Sequence, residues 1–313
     1  MKNTFPNRRW GVFNHFLYSA QNNPTSILNQ GKGVQDWNRL VDDFDTERVA
    51  FDLHRMGAEY FFLTLMQGTK YMLAPNATYD RIIGANPGEA CSRRDLPLDL
   101  ARDLAKYDID LCLYYTGDGP HKDPIAGVRM GYYDVDCPQQ PLVTMDFVQN
   151  WASVLEEYAL RYGDKVKAWW IDGCYTYFGY DQTLLKPYYD AGKKGTPEVC
   201  VAMNSGVNPD YQKWYCDEEF VCGEFNDFRV LPKSSDIDGA RAHILAPLGI
   251  SADGSEYGGW CRPGCKRDKE YLTDFVRLAN RTQTPVTIDI ALYADGTWDP
   301  EQVELLTYLG AHL

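Results

Sequence analysis

Residues 167–173 read KAWWIDG, an apolar run that stops on one carboxylate, Asp172, and is followed at once by glycine. A charge is costly to bury unless it is paired or used. The stretch therefore reads as a buried strand delivering an acid to its C-terminal end. Seven other runs share its length and its turn-residue borders. They are WGVFNHF (10–16), EYFFLTL (59–65), DIDLCLYY (108–115), EVCVAMN (198–204), EFVCGEF (219–225), HILAPL (243–248) and PVTIDIAL (285–292). Segments with helical spacing lie between them. TERVAFDLHRMG (46–57) and MDFVQNWASVLEEYALRYG (145–163) end on glycine, and LPLDLARDLAKY (96–107) has Pro97 in its first turn. RDKEYLTDFVRLANR (267–281) and PEQVELLTYLGAHL (300–313) complete the set. Strands alternating with helices imply a parallel sheet, and eight of them imply an α/β fold of the (β/α)8 TIM-like barrel type. The helices after strands five and six read as short. The polar loop 66–95 is long enough to cover one face. No linker or repeat interrupts the chain, so residues 1–313 are expected to form a single domain.

Composition narrows the function. The chain has 313 residues, 44% of them hydrophobic, and a net charge of −13. An acidic surface argues against nucleic acid or anionic lipid as a partner. The longest apolar runs are strand-sized, so no membrane span is expected. MKNTFPNRRWG at the N-terminus has no apolar core of a signal peptide. The nine cysteines are odd in number, and several sit in apolar runs, as expected of buried thiols in a reducing, cytoplasmic setting. Cys261 and Cys265, in CRPGC, have no second pair to complete a zinc site. No metal or cofactor is expected.

In a barrel of this type, functional groups gather at the C-terminal strand ends. Those positions hold His15, Gln67, Tyr114, Tyr115, Asp172, Asn204, Ser205 and Glu224. Asp289 lies within the last strand and reads as structural. Aromatics crowd the same rim: Trp10, Phe16, Trp169, Trp170, Tyr175, Tyr177, Phe225 and Trp260. Two carboxylates among hydrogen-bonding groups and aromatic faces suit glycoside hydrolysis, one acid acting at the anomeric carbon and the other on the leaving oxygen. Neither G-x-G-x-x-G nor H-E-x-x-H is present to suggest another chemistry.

Five segments also resemble one family. WGVFNHFLYS (10–19), GAEYFFLTL (57–65), DLCLYYTGDG (110–119), KAWWIDG (167–173) and the tail TIDIALYADGTWDPEQVELLTYLGAHL follow, in order, the barrel motifs of family 29 α-L-fucosidases. The resemblance implies a retaining mechanism with Asp172 as nucleophile and His15 on a sugar hydroxyl. Gly173 would then let the chain turn beside the substrate. The family's histidine pair after strand two is replaced here by MQGTKYM (66–72), where Gln67 is the candidate substitute for one histidine. The C-terminal β-sandwich usual in the family has no counterpart, so one side of the barrel would be uncovered, which leaves room for a homo-oligomer.

The combined expectation is an exo-acting glycoside hydrolase cutting an oligosaccharide or glycoconjugate that carries fucose or a related sugar. Asp172 is the nucleophile and Glu224 the acid/base, with Glu256 as the rival acid. His15, Gln67, Tyr115 and Trp260 are the sugar-binding residues. Two alternatives remain at this stage. One is a carbohydrate-binding barrel without catalysis, which requires that no second carboxylate face Asp172. The other is a lyase or isomerase using Asp172 and His15 for proton transfer.

Overall fold

The computed structural model describes residues 4–132, 143–255 and 257–313. Among these residues nine strands form: β1 Trp10–Asn14, β2 Tyr60–Thr64, β3 Asp110–Thr116, β4 Val166–Asp172, β5 Cys200–Met203, β6 Asp236–Ile237, β7 Ala240–Arg241, β8 Ile244–Pro247 and β9 Val286–Asp289. Seven of them make one parallel sheet in the order β5-β4-β3-β2-β1-β9-β8, while β6 and β7 form a separate antiparallel hairpin. The sheet is curled and α/β in class, consistent with a TIM-like barrel. Its first and last long strands are neighbours, with Val12 opposite both Phe61 and Ile288.

The segment 219–225, expected as the sixth regular strand, is not one. It makes two isolated parallel bridges, Phe220 to Arg241 and Glu224 to Leu245. The interruption falls at Gly223, whose φ of 58° lies in the left-handed region. A Cβ there would sit 1.8 Å from the His243 carbonyl oxygen, so only glycine fits. The segment still spans the gap in the sheet. Glu219 N donates to Val201 O on β5, and Phe225 N donates to Leu245 O on β8. Two side chains supply the remaining acceptors on the β5 edge. Val201 N donates to Glu219 Oε2 at 2.8 Å and Met203 N to Glu218 Oε2 at 3.0 Å. The helices expected after strands five and six are absent among the described residues.

Helix boundaries follow the sequence closely. Asp45, Asp95, Asp181, Asp268 and Asp299 each accept a first-turn backbone N–H, and Thr144 does the same for the 18-residue helix Met145–Tyr162. The loop 66–95 holds a further helix, Ala77–Ile83. Asn76 caps it, accepting from Tyr79 N, and its buried side-chain amide donates to Val154 O.

Period-two alternation along the strands separates two cores. Outward residues such as Phe61, Leu113, Tyr115, Trp169 and Val201 pack under the helices. Inward residues form a smaller core from Phe13, Tyr60, Phe62, Cys112, Tyr114, Ala168, Trp170, Cys200, Ala202, Phe220, Cys222 and Leu245. Phe5 joins that inner core, edge-on to Tyr60, Phe62, Phe220 and His243. Its backbone N–H is held by Asp110, which also pairs with buried Arg8. The strand ends opposite this plug carry the polar groups.

Candidate active site

Phe13, His15, Gln67, Tyr114, Trp170, Asp172, Tyr175, Glu224, Leu245, Trp260 and Cys261 line one pocket of about 260 Å³. That size is below the roughly 300–1,000 Å³ typical of sites for drug-sized ligands, and it suits a single small ring. Neither lysine nor arginine is among these lining residues.

Asp172 ends β4 and sits at the pocket floor. Tyr114 Oη donates to its Oδ2 at 2.7 Å, and Tyr175 Oη donates to its Oδ1 at 3.1 Å. Asn204, just past β5, binds Asp172 and Glu224 together. Its Nδ2 donates to Asp172 Oδ1 at 2.8 Å and to Glu224 Oε2 at 2.6 Å. The amide orientation is set because Asn204 Oδ1 accepts from Gly206 N. One amide nitrogen thus spends one hydrogen on each carboxylate.

The two acids differ in their surroundings. Burial raises the Asp172 pKa, while the Tyr114 and Asn204 hydrogen bonds oppose that rise. Burial and the Asp172 charge push Glu224 up to about 7, with Asn204 and His15 pulling the other way. Three side-chain donors face Asp172 against the Asn204 amide at Glu224. When the pair holds one proton, that proton belongs on Glu224.

Gly173 makes the turn after Asp172 with φ of 69°. A Cβ there would lie 2.9 Å from Asp118 Cγ. Asp118, a buried carboxylate near Asp172, also raises the Asp172 pKa through its charge.

On the opposite wall, His15 Nδ1 bonds Asp289 Oδ1 at 2.9 Å. Asp289 Oδ2 accepts from Cys261 N at 2.8 Å. Asp289 ends β9, and this pairing makes it the residue that orients His15. Burial works against a charge on His15, but Cys261 and Asp289 outweigh it and raise its pKa well above the usual value. Trp260 is fixed by Nε1 donating to Asn226 Oδ1 at 3.0 Å, and its ring meets His15 nearly edge-on at 6.1 Å.

The structure therefore brings Asp172, Glu224, His15, Gln67 and Trp260 to one cavity. Tyr115 is not among them. It points outward, stacks on Trp151 at 4.8 Å and donates to Trp151 O at 2.8 Å. Its neighbour Tyr114 takes the pocket position, because successive strand residues face opposite sides of the sheet. Trp10, Phe16 and Trp169 likewise belong to the outer core, whereas Trp170 and Tyr175 reach the pocket. Glu256, the rival acid, lies outside the described residues. Asn204 and Cys261 gave no strong signal. Asn204 was visible only as a strand-end amide, and Cys261 is far from His15 in sequence.

The fold has known relatives among carbohydrate-cleaving enzymes. An α-L-fucosidase of glycoside hydrolase family 29 from Bacteroides thetaiotaomicron superposes with a TM-score of 0.65 at 17% identity, over 98% of this chain and 72% of that one. The chain has the fold of the α-L-fucosidases. A fucosyltransferase mutant of another α-L-fucosidase matches at TM-score 0.66 and 16% identity, over 97% of this chain and 94% of that one. An endo-fucoidan hydrolase of family 107 matches at TM-score 0.72 and 12% identity. That match covers 97% of this chain and 52% of the hydrolase, so the chain spans about half its length. No protein-family profile and no curated protein matches the sequence. No helix among the described residues is long and apolar enough to cross a membrane.

Proposed function

We propose that the chain is a retaining, exo-acting glycoside hydrolase for α-L-fucosides or a closely related neutral sugar, built on a single (β/α)8-type barrel whose sixth position is filled by 219–225. The observation that carries this reading is the Asn204 bridge between Asp172 and Glu224. The bridged oxygens are no farther apart than the two bonds laid end to end, which agrees with the roughly 5–5.5 Å carboxyl spacing of retaining enzymes. Asp172, charged and oriented by three donors, attacks the anomeric carbon. Glu224, carrying the proton, gives it to the glycosidic oxygen and then takes one from water as that water attacks the glycosyl ester. Tyr114 and Tyr175 release their hydrogen bonds from the charge as Asp172 becomes an ester.

His15 binds a sugar hydroxyl with the ring nitrogen that Asp289 leaves available, and Gln67 and Trp260 complete the grip. Among the described residues the lining holds neither lysine nor arginine, which disfavours a sulfated ring in this pocket. One structural neighbour, the Bacteroides thetaiotaomicron fucosidase, has been trapped as a covalent intermediate with a fucosyl fluoride in a glutamate-to-glutamine mutant. That result supports the covalent route by analogy. The binding-only alternative needs Asp172 to lack an opposing carboxylate, and Glu224 counts against it.

The test is hydrolysis of a panel of nitrophenyl glycosides, α-L-fucoside included, by the wild type and by Asp172→Ala, with the product anomer followed by NMR. Turnover with retained configuration, lost in the variant, is expected. Binding of oligosaccharides with no cleavage of any substrate would favour the binding-only barrel, and an inverted product would overturn the nucleophile role.

A further inference from the structure

Cys261 plays no part in the proposed glycosidase chemistry, yet it lines the pocket. Three donor atoms, one each from His15, Cys261 and Asp289, lie within 4.8 Å of one another. Imidazole, thiolate and carboxylate are the ligands that zinc takes, with bonds of roughly 2.0–2.3 Å. A thiolate in the set selects thiophilic ions over magnesium or calcium. Three protein donors, two of them from residues that line the pocket, also match the open type of zinc site.

The thiol is held in place by the backbone. Cys261 has a φ of 59°, a left-handed conformation that a non-glycine residue seldom adopts. Its N–H is tied to Asp289 Oδ2, and Trp260 before it is anchored to Asn226. Lys266 Nζ, on the same loop, donates to Asn226 O at 2.8 Å. The cluster joins strands β1 and β9 to this loop, so its donors come from three separate parts of the chain. Cys265, the other half of CRPGC, packs against the outer core instead.

We propose that His15, Cys261 and Asp289 form a binding site for one thiophilic divalent cation of the Zn²⁺ class, and that an ion there competes with the sugar for His15. Coordination converts the Cys261 thiol to thiolate and takes His15 as neutral imidazole, the displaced protons going to solvent, with no change of oxidation state. One Asp289 oxygen turns to the ion while the other keeps the Cys261 amide.

The competition arm rests on the sugar-pocket reading, but the binding arm does not. The full chain is titrated with ZnCl2 by calorimetry and with CoCl2 by absorption spectroscopy. One equivalent of Zn²⁺ is expected, together with a near-ultraviolet thiolate-to-cobalt band. Cys261→Ser should abolish that band and weaken Zn²⁺ binding at least about tenfold, while Cys216→Ser, at an exposed cysteine, should change neither. If Cys261→Ser does not fold, alkylation of the wild type by iodoacetamide, mapped by mass spectrometry, gives the same answer. Zn²⁺ should protect Cys261 selectively. Absence of stoichiometric binding, affinity unchanged in Cys261→Ser, or no protection of Cys261 would each overturn the site. Zn²⁺ binding at Cys261 without a rise in KM for the glycoside would overturn the competition alone.

Discussion

Asn204 is the smallest unit on which the proposed chemistry turns, since one nitrogen holds both acids in place. Asn204→Ala should lower kcat/KM by roughly 10²-fold, the scale of losing one preorganised donor. It should also move the alkaline limb of the pH profile upward, because the Asn204 hydrogen bond holds the Glu224 pKa down. Glu224, the proposed acid, has its pKa pushed up to about 7. Activity should therefore fall as pH rises through about 7 and Glu224 loses its proton. Glu224→Gln should remove that limb, which a pH series of kcat/KM reads directly. The adjacent tyrosines give a paired control. Tyr114→Phe should cut kcat/KM by about tenfold or more through its lost bond to Asp172. Tyr115→Phe should leave kcat nearly unchanged and cost about 1 kcal/mol of stability from its lost bond to Trp151.

At the level of elements, the segment 219–225 decides whether Glu224 reaches Asp172. The alternation persists through Gly223 despite its left-handed φ: Phe220 and Cys222 face the inner core, Val221 and Phe225 the outer one, and Glu224 lines the pocket. Gly223→Ala should destabilise the protein by at least about 2 kcal/mol, since its Cβ would collide with His243 O. Thermal unfolding measures this, and activity should fall with stability because Glu224 adjoins the distorted residue. The capping aspartates show the opposite behaviour. Each acts within four residues of itself, so helix starts follow local sequence and need no partner from elsewhere. The two glutamates on the β5 edge lie between these cases. Their residue types are unremarkable in sequence, and only the missing strand beside β5 explains why they turn onto its amides.

Across the whole molecule, the two ends of the sheet serve different purposes. Phe5 fills the end away from the pocket, buried among four aromatic rings. Phe5→Ala should cost about 3–5 kcal/mol while leaving the KM of the surviving folded enzyme unchanged, as denaturation and kinetics on one preparation would show. Equal losses in binding and stability would mean that the inner core transmits strain to the pocket. The apolar lower layers and the polar upper rim arise from the same strands, whose inward positions change character along their length. Strand β9 illustrates the change: Thr287 meets Tyr60 and His243 inside, and Asp289 two residues later meets His15 at the rim.

The sequence alone determined the strand-and-helix alternation, most boundaries and the prominence of Asp172, because hydrophobic period, capping and turn residues act over a few neighbours. It also supplied His15, Gln67, Glu224 and Trp260 as strand-end or loop candidates. Tertiary structure decided which of two consecutive tyrosines faced the pocket, since the inward phase of a strand depends on its partners. It decided that 219–225 would pair only through isolated bridges, with Gly223 lying so close to the carbonyl of His243, twenty residues away, that no Cβ would fit. It also decided that Asp289 would orient His15 and that Cys261 would stand beside them. These contacts join residues from twenty to more than two hundred positions apart in sequence, where neither spacing nor local propensity carries a signal.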